Sequence, residues 1–404
     1  MANAKLNEII RKNPYLERPI FSFGSGRCGS TLFRSLVDGN AQVLVWPFEF
    51  SYYILGRNAS KRFGKPCKTS ELFEYYERLG VFQHIGTVYD GDLGSRKYST
   101  GLIHAETFHK VIYSFASEEL SRKEFLQLVI YAYQKSLKEI PEPECWFVTL
   151  NQPTAEPLLD FPQCKAIVLT RNPIDTYVST KSFYFKGAEL SGRDKCSVYR
   201  PGAANNRCRW GLLETAISPI FWTFEWLEKY RNDLGVLHLS LEDLRENPQK
   251  TMRRFAEFCG IQYSDVLICP TFLGQPHYSN LSSGKSSDGR IIPAKHERDY
   301  LENLTEFEFI WICSLFSNAA KAAGYSIPSE IPKLEAINRI AGFLKPMKHE
   351  FPESGQDRKW QKSRAVYLMV RLARWCFAPV GYLANRYLIL NCRRILANSV
   401  YKGV

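Results

Sequence analysis

Apolar residues along the chain occur in short continuous runs typical of buried strands. The segments between these runs carry apolar residues at helical spacing. Five runs rich in β-branched and aromatic residues predict strands at positions 18–23, 41–46, 145–150, 164–170 and 236–240. Segments that carry start or stop signals for a helix lie between or after them, at 30–40, 171–184, 220–235 and 247–260. Strands that alternate with helices indicate an α/β fold, a three-layer sandwich around a central parallel sheet.

The region 51–142 interrupts this alternation. It is rich in Tyr, Phe and charged residues at helical spacing and closes at the sequence PEPE, so we predict a helical insertion. The insertion belongs to one predicted domain over residues 15–330. Residues 331–404 are expected to form a linker followed by basic, aromatic C-terminal helices.

Composition narrows the class of protein. The 404 residues are 45% hydrophobic, 14% aromatic and 23% charged, which excludes a disordered, collagen-like or small disulfide-stapled protein. There is neither a run of 18 apolar residues nor an apolar segment at the N-terminus, so we expect no membrane span and no secretion signal. Eleven cysteines lack CxxC or Cys/His spacing, which favours reduced thiols in the cytoplasm, without zinc or any other metal.

The net charge of +12 indicates an anionic partner, whether nucleic acid, membrane, cofactor or substrate. Most of this charge lies at positions 358–404, which carry ten basic residues and no Asp or Glu. If 361–377 is a helix, Arg364, Arg371 and Arg374 fall within one third of its circumference, as in a helix that lies on an anionic membrane. The alternative is a C-terminal helical pair packed on the domain with solvated arginines.

A glycine-rich loop, GSGRCGST at 24–31, joins the first strand to the first helix. Amide groups at a helix N-terminus hold anions, so the loop predicts an anion site. Gly24, Gly26 and Gly29 satisfy the GxGxxG pattern of dinucleotide-binding proteins, with Glu49 as the candidate ribose-binding acid. A nucleotide kinase is a weaker interpretation because Ser30 replaces the lysine of the Walker sequence. A plain turn is a further alternative.

The same loop also places a cation two residues before its last glycine, followed by hydroxyl side chains. This order of Arg27, Gly29, Ser30 and Thr31 resembles the 5′-phosphosulfate loop of sulfotransferases.

A second segment, RNPIDTYVS at 171–179, follows a predicted strand and begins a helix. Asn172 can cap that helix, and Arg171 would face the crevice at the carboxyl ends of the strands. Two anion sites suit a cofactor with phosphates on both its 5′ and 3′ positions. The segment is similar to the 3′-phosphate segment of sulfotransferases at Arg171, Asn172, Pro173, Asp175, Val178 and Ser179. Alternatively, it only caps a helix while Arg171 pairs with a surface carboxylate.

A third stretch, LSLEDLRENPQKTMRRFAEFCGI at 239–261, resembles the same family, and the three segments occur in the family's order. The resemblance covers about residues 18–330. It has departures: Leu32 replaces the tryptophan that stacks on adenine, and TLNQP at 149–153 lacks the catalytic histidine of the cytosolic enzymes. The late GxxGxxK signature is absent, and Lys285 and Arg290 are candidate substitutes.

The resemblance implies transfer of a sulfuryl group from 3′-phosphoadenosine 5′-phosphosulfate (PAPS) to an acceptor hydroxyl, without a metal. The implied cofactor-binding residues are Ser25, Gly26, Arg27, Cys28, Gly29, Ser30, Thr31, Arg171, Ser179, Lys285 and Arg290, and the implied catalytic residues are Glu49 and Arg27. Glu49 resembles the glutamate base of carbohydrate and bacterial sulfotransferases. We expect Trp46, Phe48 and Phe50 to desolvate its carboxylate partly.

Other roles and partners stay open from the sequence. Glu49 could instead pair with a basic neighbour, in which case His104 and His109 are the reserve candidates for the base. The Tyr-rich insertion and a basic loop at 186–209 favour a glycan or glycolipid acceptor over a small phenol. An NAD(P)-dependent oxidoreductase and a non-catalytic peripheral membrane protein are the competing classes, and we do not expect nucleic acid as a partner.

Overall fold

The structure is a computed structural model that describes residues 4–50, 66–78, 81–82, 85, 103–138, 142–150, 156–185, 217–233, 235–276 and 304–326. Its strands are β1 (Pro19–Gly24), β2 (Val43–Phe50), β3 (Cys67–Lys68), β4 (Glu119–Leu120), β5 (Cys145–Leu150), β6 (Lys165–Thr170), β7 (Val236–Ser240), β8 (Thr271–Phe272) and β9 (Gln275–Pro276). Its helices are α1 (Ala4–Lys12), α2 (Ser30–Val37), α3 (Thr69–Arg78), α4 (Ala105–Tyr113), α5 (Arg122–Ser136), α6 (Glu156–Asp160), α7 (Pro173–Phe185), α8 (Ser218–Tyr230), α9 (Leu241–Glu246), α10 (Pro248–Cys259) and α11 (Glu306–Ala322).

A five-stranded sheet has the order β2-β5-β1-β6-β7, and every neighbouring pair in it is parallel. Strands β1 and β5 are buried along their whole length because helices cover both faces of a parallel sheet, and their sequences are correspondingly apolar. The predicted α/β fold with a central parallel sheet is confirmed. The bounds of β5 and β7 agree with the prediction, whereas β2 continues four residues beyond its predicted end.

Alternating side chains of the strands pack into two different helical layers. Phe147 of β5 contacts the ring of Phe33 in α2, with ring centres 5.8 Å apart. Trp46 of β2 points to the other face and contacts Tyr133 of α5 at 5.2 Å. Sheet and helices therefore form three layers, as the sequence predicts.

The chain divides into two compact units. The sheet unit comprises Met1–Gly24, Cys28–Thr170 and Lys229–Ala294, and the helical unit comprises Ser25–Arg27, Arg171–Glu228 and residues from Lys295 onward. In the helical unit, α7, α8 and α11 share one buried apolar core. The Tyr177 hydroxyl donates a hydrogen bond to the buried Glu308 carboxylate at 2.8 Å, which satisfies both polar groups inside that core. The predicted bounds of a 15–330 domain stay a prediction.

In the described part of the range 51–142, where a helical insertion is predicted, lie the helices α3, α4 and α5. Their aromatic side chains pack on one another: Tyr76 stacks on Phe125 with ring centres 5.5 Å apart. Tyr76 and Tyr133 are at most 1% exposed, so these two rings are not available to contact a sugar. Tyr113 is 52% exposed.

The basic loop at 186–209 and the tail at 358–404 lie outside the described residues. Among the helices that the structure does describe, none combines the length and the apolar character needed to cross a bilayer.

Candidate functional site

The glycine-rich loop connects the end of β1 to the N-terminus of α2. Gly29 caps α2 with a φ of 96°, and a Cβ atom built on it would lie 2.5 Å from Cδ1 of Leu241. A Cβ on Gly24 would collide with Sγ of Cys28, whereas a Cβ on Gly26 would meet open space. Two of the three glycines are therefore required by packing, and Gly26 is not.

The loop presents its polar groups at the start of a helix that has no acidic residue in its first turn. Ser30 and Thr31 are partly exposed there, and first-turn amides of an α-helix have no acceptor within the helix. The helix dipole adds a partial positive charge at the same place. These features are those of an anion site, which stays a prediction here.

Within the helical unit, Arg27, Arg171 and Ser179 form one hydrogen-bonded cluster. Nε of Arg27 donates to the Ser179 hydroxyl at 3.4 Å, and Nη1 of Arg171 donates to the Arg27 carbonyl oxygen at 3.2 Å. Arg27 has a left-handed φ of 68°, a conformation uncommon for a residue other than glycine, asparagine or aspartate. Arg171 stabilises this backbone conformation through the hydrogen bond to its carbonyl. The cluster joins two segments that the sequence treats as separate anion sites.

The exposures of the two arginines differ. Arg171 is buried, at 7% exposure, whereas the Arg27 side chain is exposed. A guanidinium group keeps its charge in either setting and offers several donors to one phosphate or sulfonate group. A buried guanidinium beside an exposed one is an arrangement that can bind an anion from two sides.

Asn172 starts α7, the helix that carries Ser179, as predicted. The Asn172 side-chain oxygen accepts a hydrogen bond from the Ile174 amide at 3.0 Å, and Pro173 occupies the first helical position. The cap sets the register of the helix, which places Ser179 within reach of Arg27.

A partly buried histidine contacts the end of the strand that leads to Arg171. In the sheet unit, Nε2 of His238 on β7 lies 2.7 Å from the hydroxyl of Thr170, the last residue of β6. Burial lowers the pKa of His238 to about 4, so the imidazole is neutral at pH 7. The sequence alone does not indicate this pair, because His238 is only one position in a strand-like run.

Glu49 lies in β2, at the edge of the sheet, next to a register shift between Val45 and Glu49. Pro47 lies inside this stretch. Proline is tolerated in a sheet at such a position, in an edge strand beside a bulge. Phe50 is buried, but Glu49 is exposed. The expectation of a carboxylate partly desolvated by its aromatic neighbours is therefore wrong, because Glu49 is exposed although Trp46 and Phe50 are buried.

The reserve candidates for the base lie just before α4 and within it. His104 is the exposed residue that precedes this helix, and its amide donates to the Ser136 carbonyl. The His109 ring packs edge-on against Phe73 with centres 5.6 Å apart. His109 thus belongs to the aromatic packing of the insertion. Lys285 and Arg290 lie outside the described residues.

A small pocket in the sheet unit lies beside α2 and has room for about one water molecule. Its walls come from α2, from β2 and from β8, and the lining residues are Thr31, Arg34, Ser35, Asp38, Val45, Pro47, Thr271 and Phe272. Sequence reasoning identified only Thr31 among them, since the other walls lie far away along the chain and carry no motif.

Comparison with known proteins agrees with this geometry. Residues 22–271, more than half of the chain, match the family model described as a sulfotransferase domain. The chain belongs to the sulfotransferase family. The predicted family is thereby confirmed, and the oxidoreductase alternative is not supported. No curated protein matches the sequence.

Several solved structures are similar to this sulfotransferase at low identity. The sulfotransferase domain from the curacin biosynthetic pathway is 15% identical, with 76% of this chain and 98% of that chain covered and a TM-score of 0.39. The sulfotransferase domain of the Synechococcus PCC 7002 olefin synthase is 16% identical, with coverages of 81% and 93% and a TM-score of 0.38. A mouse sulfotransferase complexed with PAP is 15% identical, with coverages of 76% and 85% and a TM-score of 0.37.

Proposed function

We propose that this sulfotransferase transfers the sulfuryl group of PAPS to the hydroxyl group of an acceptor. The observation that carries the proposal is the cluster of Arg27, Arg171 and Ser179, which gathers two permanent positive charges and a hydroxyl group. PAPS has an anionic group on each side of its ribose, and such a donor needs two cationic partners. The hydrogen-bonding groups of the site also suit PAPS, since guanidinium, hydroxyl and amide groups commonly donate hydrogen bonds to phosphate and sulfonate oxygens.

The two anionic ends of the donor are assigned to different residues. Arg171 and Ser179 bind the 3′-phosphate, while Arg27 and the first-turn amides at Ser30 and Thr31 bind the 5′-phosphosulfate. Open space at Gly26 supports this assignment, because a phosphate group can approach the backbone there.

Transfer breaks the bond between sulfur and the bridging phosphate oxygen and forms a bond between sulfur and the acceptor oxygen. Negative charge grows on the bridging oxygen, where Arg27 and the amides of α2 stabilise it. Glu49 accepts the proton that the acceptor hydroxyl loses. The products are PAP, the sulfated acceptor and a proton, so the transfer needs no further reactant.

Binding and turnover together test this function. Isothermal titration should show binding of adenosine 3′,5′-bisphosphate (PAP) and none of NADP⁺ at the same concentration. Incubation with PAPS and an acceptor should release PAP in step with sulfated product. Binding of NADP⁺ instead of PAP, or PAPS that stays intact with every acceptor, would refute the proposal.

For the acceptor, we propose a glycan or glycolipid hydroxyl. Support comes from Glu49, whose exposed carboxylate on an edge strand is accessible to a polar, extended molecule. A panel of oligosaccharides, glycolipids and small phenols, each supplied with PAPS, tests this class. Sulfation of glycans or glycolipids is the expected result, and turnover confined to phenols would contradict it.

A further inference from the structure

A carboxyl group lies inside the apolar core that α7, α8 and α11 share in the helical unit. Glu308, in the first turn of α11, is only 3% exposed. Its Oε1 accepts the hydrogen bond from the Tyr177 hydroxyl at 2.8 Å, and its Oε2 accepts one from the Thr305 amide at 3.4 Å. The Thr305 hydroxyl in turn accepts from the Glu308 amide at 3.1 Å, which completes a capping box. One side chain therefore caps α11 and also joins it to α7.

Apolar packing alone does not fix the rotation of α7 about its own axis. From Ile174 to Thr180, all side chains are buried except those of Asp175 and Ser179. The two buried threonines in this stretch donate to carbonyl oxygens of their own segment. Apolar contacts are not directional, and a helix buried on most of its circumference has no single apolar stripe to orient it. The bond from Tyr177 to Glu308 is directional, so it selects one rotation.

Tyr177 and Ser179 lie on opposite sides of α7. Residues two positions apart in an α-helix are separated by about 200° around its axis. The exposures agree, since Tyr177 is fully buried in the core and Ser179 is partly exposed. A rotation of the helix that releases Tyr177 from Glu308 would therefore carry Ser179 sideways as well.

Ser179 tolerates little movement of this kind. Nε of Arg27 reaches its hydroxyl at 3.4 Å, which is already long for a hydrogen bond, so a shift of a few tenths of an ångström would break the contact. Arg171 is different, because it follows β6 directly and precedes α7. The strand holds Arg171 in place, and the rotation of α7 decides only where Ser179 lies.

We propose that Glu308, through Tyr177, is a positioning residue that holds Ser179 towards the 3′-phosphate of the donor. This role rests on the proposed function, since it presumes that Ser179 binds that phosphate. Glu308 and Tyr177 are buried in the core and do not contact the donor in this assignment. The link between them therefore controls recognition of the 3′-phosphate separately from recognition of the 5′ group.

Two ligands distinguish these two kinds of recognition. Isothermal titration is run with PAP and with adenosine 5′-monophosphate (AMP), which differs from PAP only in lacking the 3′-phosphate. The ratio of the two dissociation constants measures what that phosphate contributes to binding. Wild type should bind PAP at least about tenfold more tightly than AMP, because hydrogen bonds between charged groups are stronger than neutral ones.

Tyr177→Phe removes only the hydroxyl group that Glu308 accepts from. Tyr15→Phe is the matched control, because Tyr15 is also buried and its hydroxyl donates to Gln134 at 2.9 Å in the sheet unit. We expect Tyr177→Phe to weaken PAP binding about tenfold and to leave AMP binding within about twofold of wild type. Tyr15→Phe should bind both ligands like wild type, while a thermal melt shows a comparable loss of stability.

Glu308→Gln and Glu308→Met test the other end of the link. Glutamine keeps an oxygen that can accept from Tyr177, so this variant should keep the PAP-to-AMP ratio of wild type. Methionine has a similar length but no such acceptor, so Glu308→Met should weaken PAP selectively, as Tyr177→Phe does. A loss of folded protein lowers the number of binding sites and leaves the dissociation constant of the remainder unchanged.

Equal weakening of PAP and AMP in Tyr177→Phe, or an unchanged ratio in both Tyr177→Phe and Glu308→Met, would overturn the role. The same selective loss in Tyr15→Phe would also overturn it, because the loss would then follow from any missing buried hydroxyl. Wild type that binds neither ligand would refute the proposed function itself. Wild type that binds PAP and AMP equally well would refute the assignment of the 3′-phosphate to Ser179, and each of these results is distinguishable from the others.

Discussion

The guanidinium group of Arg171 donates a hydrogen bond to the main-chain carbonyl of Arg27 at 3.2 Å, across 144 positions of sequence. This bond ties the glycine-rich loop to the start of α7 and stabilises the left-handed backbone at Arg27. Arg27 itself reaches Ser179 on that helix. The two segments therefore form one hydrogen-bonded cluster, and substitutions in either segment should have related effects.

Arg27→Ala and Arg171→Ala should each weaken PAP binding at least about tenfold, since a hydrogen bond to a charged group contributes about 1.5–3 kcal/mol. Titration calorimetry measures the effect. Arg11→Ala, which removes an exposed arginine of α1, serves as the control for a change of net charge. Wild-type affinity in both site variants would show that PAP binds elsewhere.

Glu49→Gln should keep PAP affinity within about twofold and lower turnover at least about 10²-fold, because a general base contributes about 10²–10⁴-fold. The measurement is PAP release at saturating PAPS and acceptor. His104→Gln and His109→Gln are the matched variants and should retain turnover. If Glu49→Gln is as active as wild type and one of the histidine variants is inactive, the base is that histidine.

The glycines of the loop should differ in their tolerance of a side chain. Gly29→Ala should lower the free energy of unfolding by at least about 1–2 kcal/mol, because alanine is strained at this φ and its Cβ would overlap Leu241. Gly24→Ala should also destabilise the protein, through Cys28 and the Leu169 carbonyl. Gly26→Ala, with open space around the added Cβ atom, should have the same free energy of unfolding as wild type. Chemical denaturation of the three variants checks this order.

His238 should make the protein less stable as the pH falls from 6.5 towards 4. Its folded-state pKa, about 4, lies below the unfolded value of 6.5, so the unfolded chain binds the extra proton in this window. The resulting loss between pH 7 and pH 5 is about 2 kcal/mol. His238→Gln can keep a bond to Thr170 and cannot titrate, so its urea midpoint should fall less over the same range. Parallel profiles for the two proteins would contradict the assignment.

The difference between the stability profiles of wild type and His238→Gln over pH separates the contribution of His238 from that of the buried Asp38. Burial raises the pKa of Asp38, so its contribution to stability is present at low pH and decreases as the pH rises through its folded value. That contribution is opposite in sign to the one from His238 and is common to both proteins.

For the tail, we propose contact with an anionic membrane surface. The full-length protein should co-sediment with vesicles that contain phosphatidylserine at low salt, stay in solution with neutral vesicles, and release at high salt. Each arginine near an anionic surface contributes about 1 kcal/mol, so replacing Arg364, Arg371 and Arg374 by Gln should weaken binding strongly. Vesicle binding that is unaffected by salt and by these replacements would argue against an electrostatic contact.

The sequence by itself determined the features that depend on neighbouring residues. The bounds of β5 and β7 follow from local apolar runs, and the start of α7 follows from Asn172 and Pro173, whose effects act within one turn. The glycine loop is recognisable for the same reason, since its strand, turn and helix are contiguous. These local preferences were sufficient to identify the α/β fold and the family.

Only the tertiary structure decided which distant groups meet. The bonds from Arg171 to Arg27 and from Thr271 to Asp38 join residues 144 and 233 positions apart, and no local pattern specifies such a pair. Glu49 shows the same limit at short range: its aromatic neighbours suggest burial, but it is exposed in an edge strand next to a shift of register. Burial and pairing are properties of the packed chain, because they depend on which surfaces the fold brings into contact.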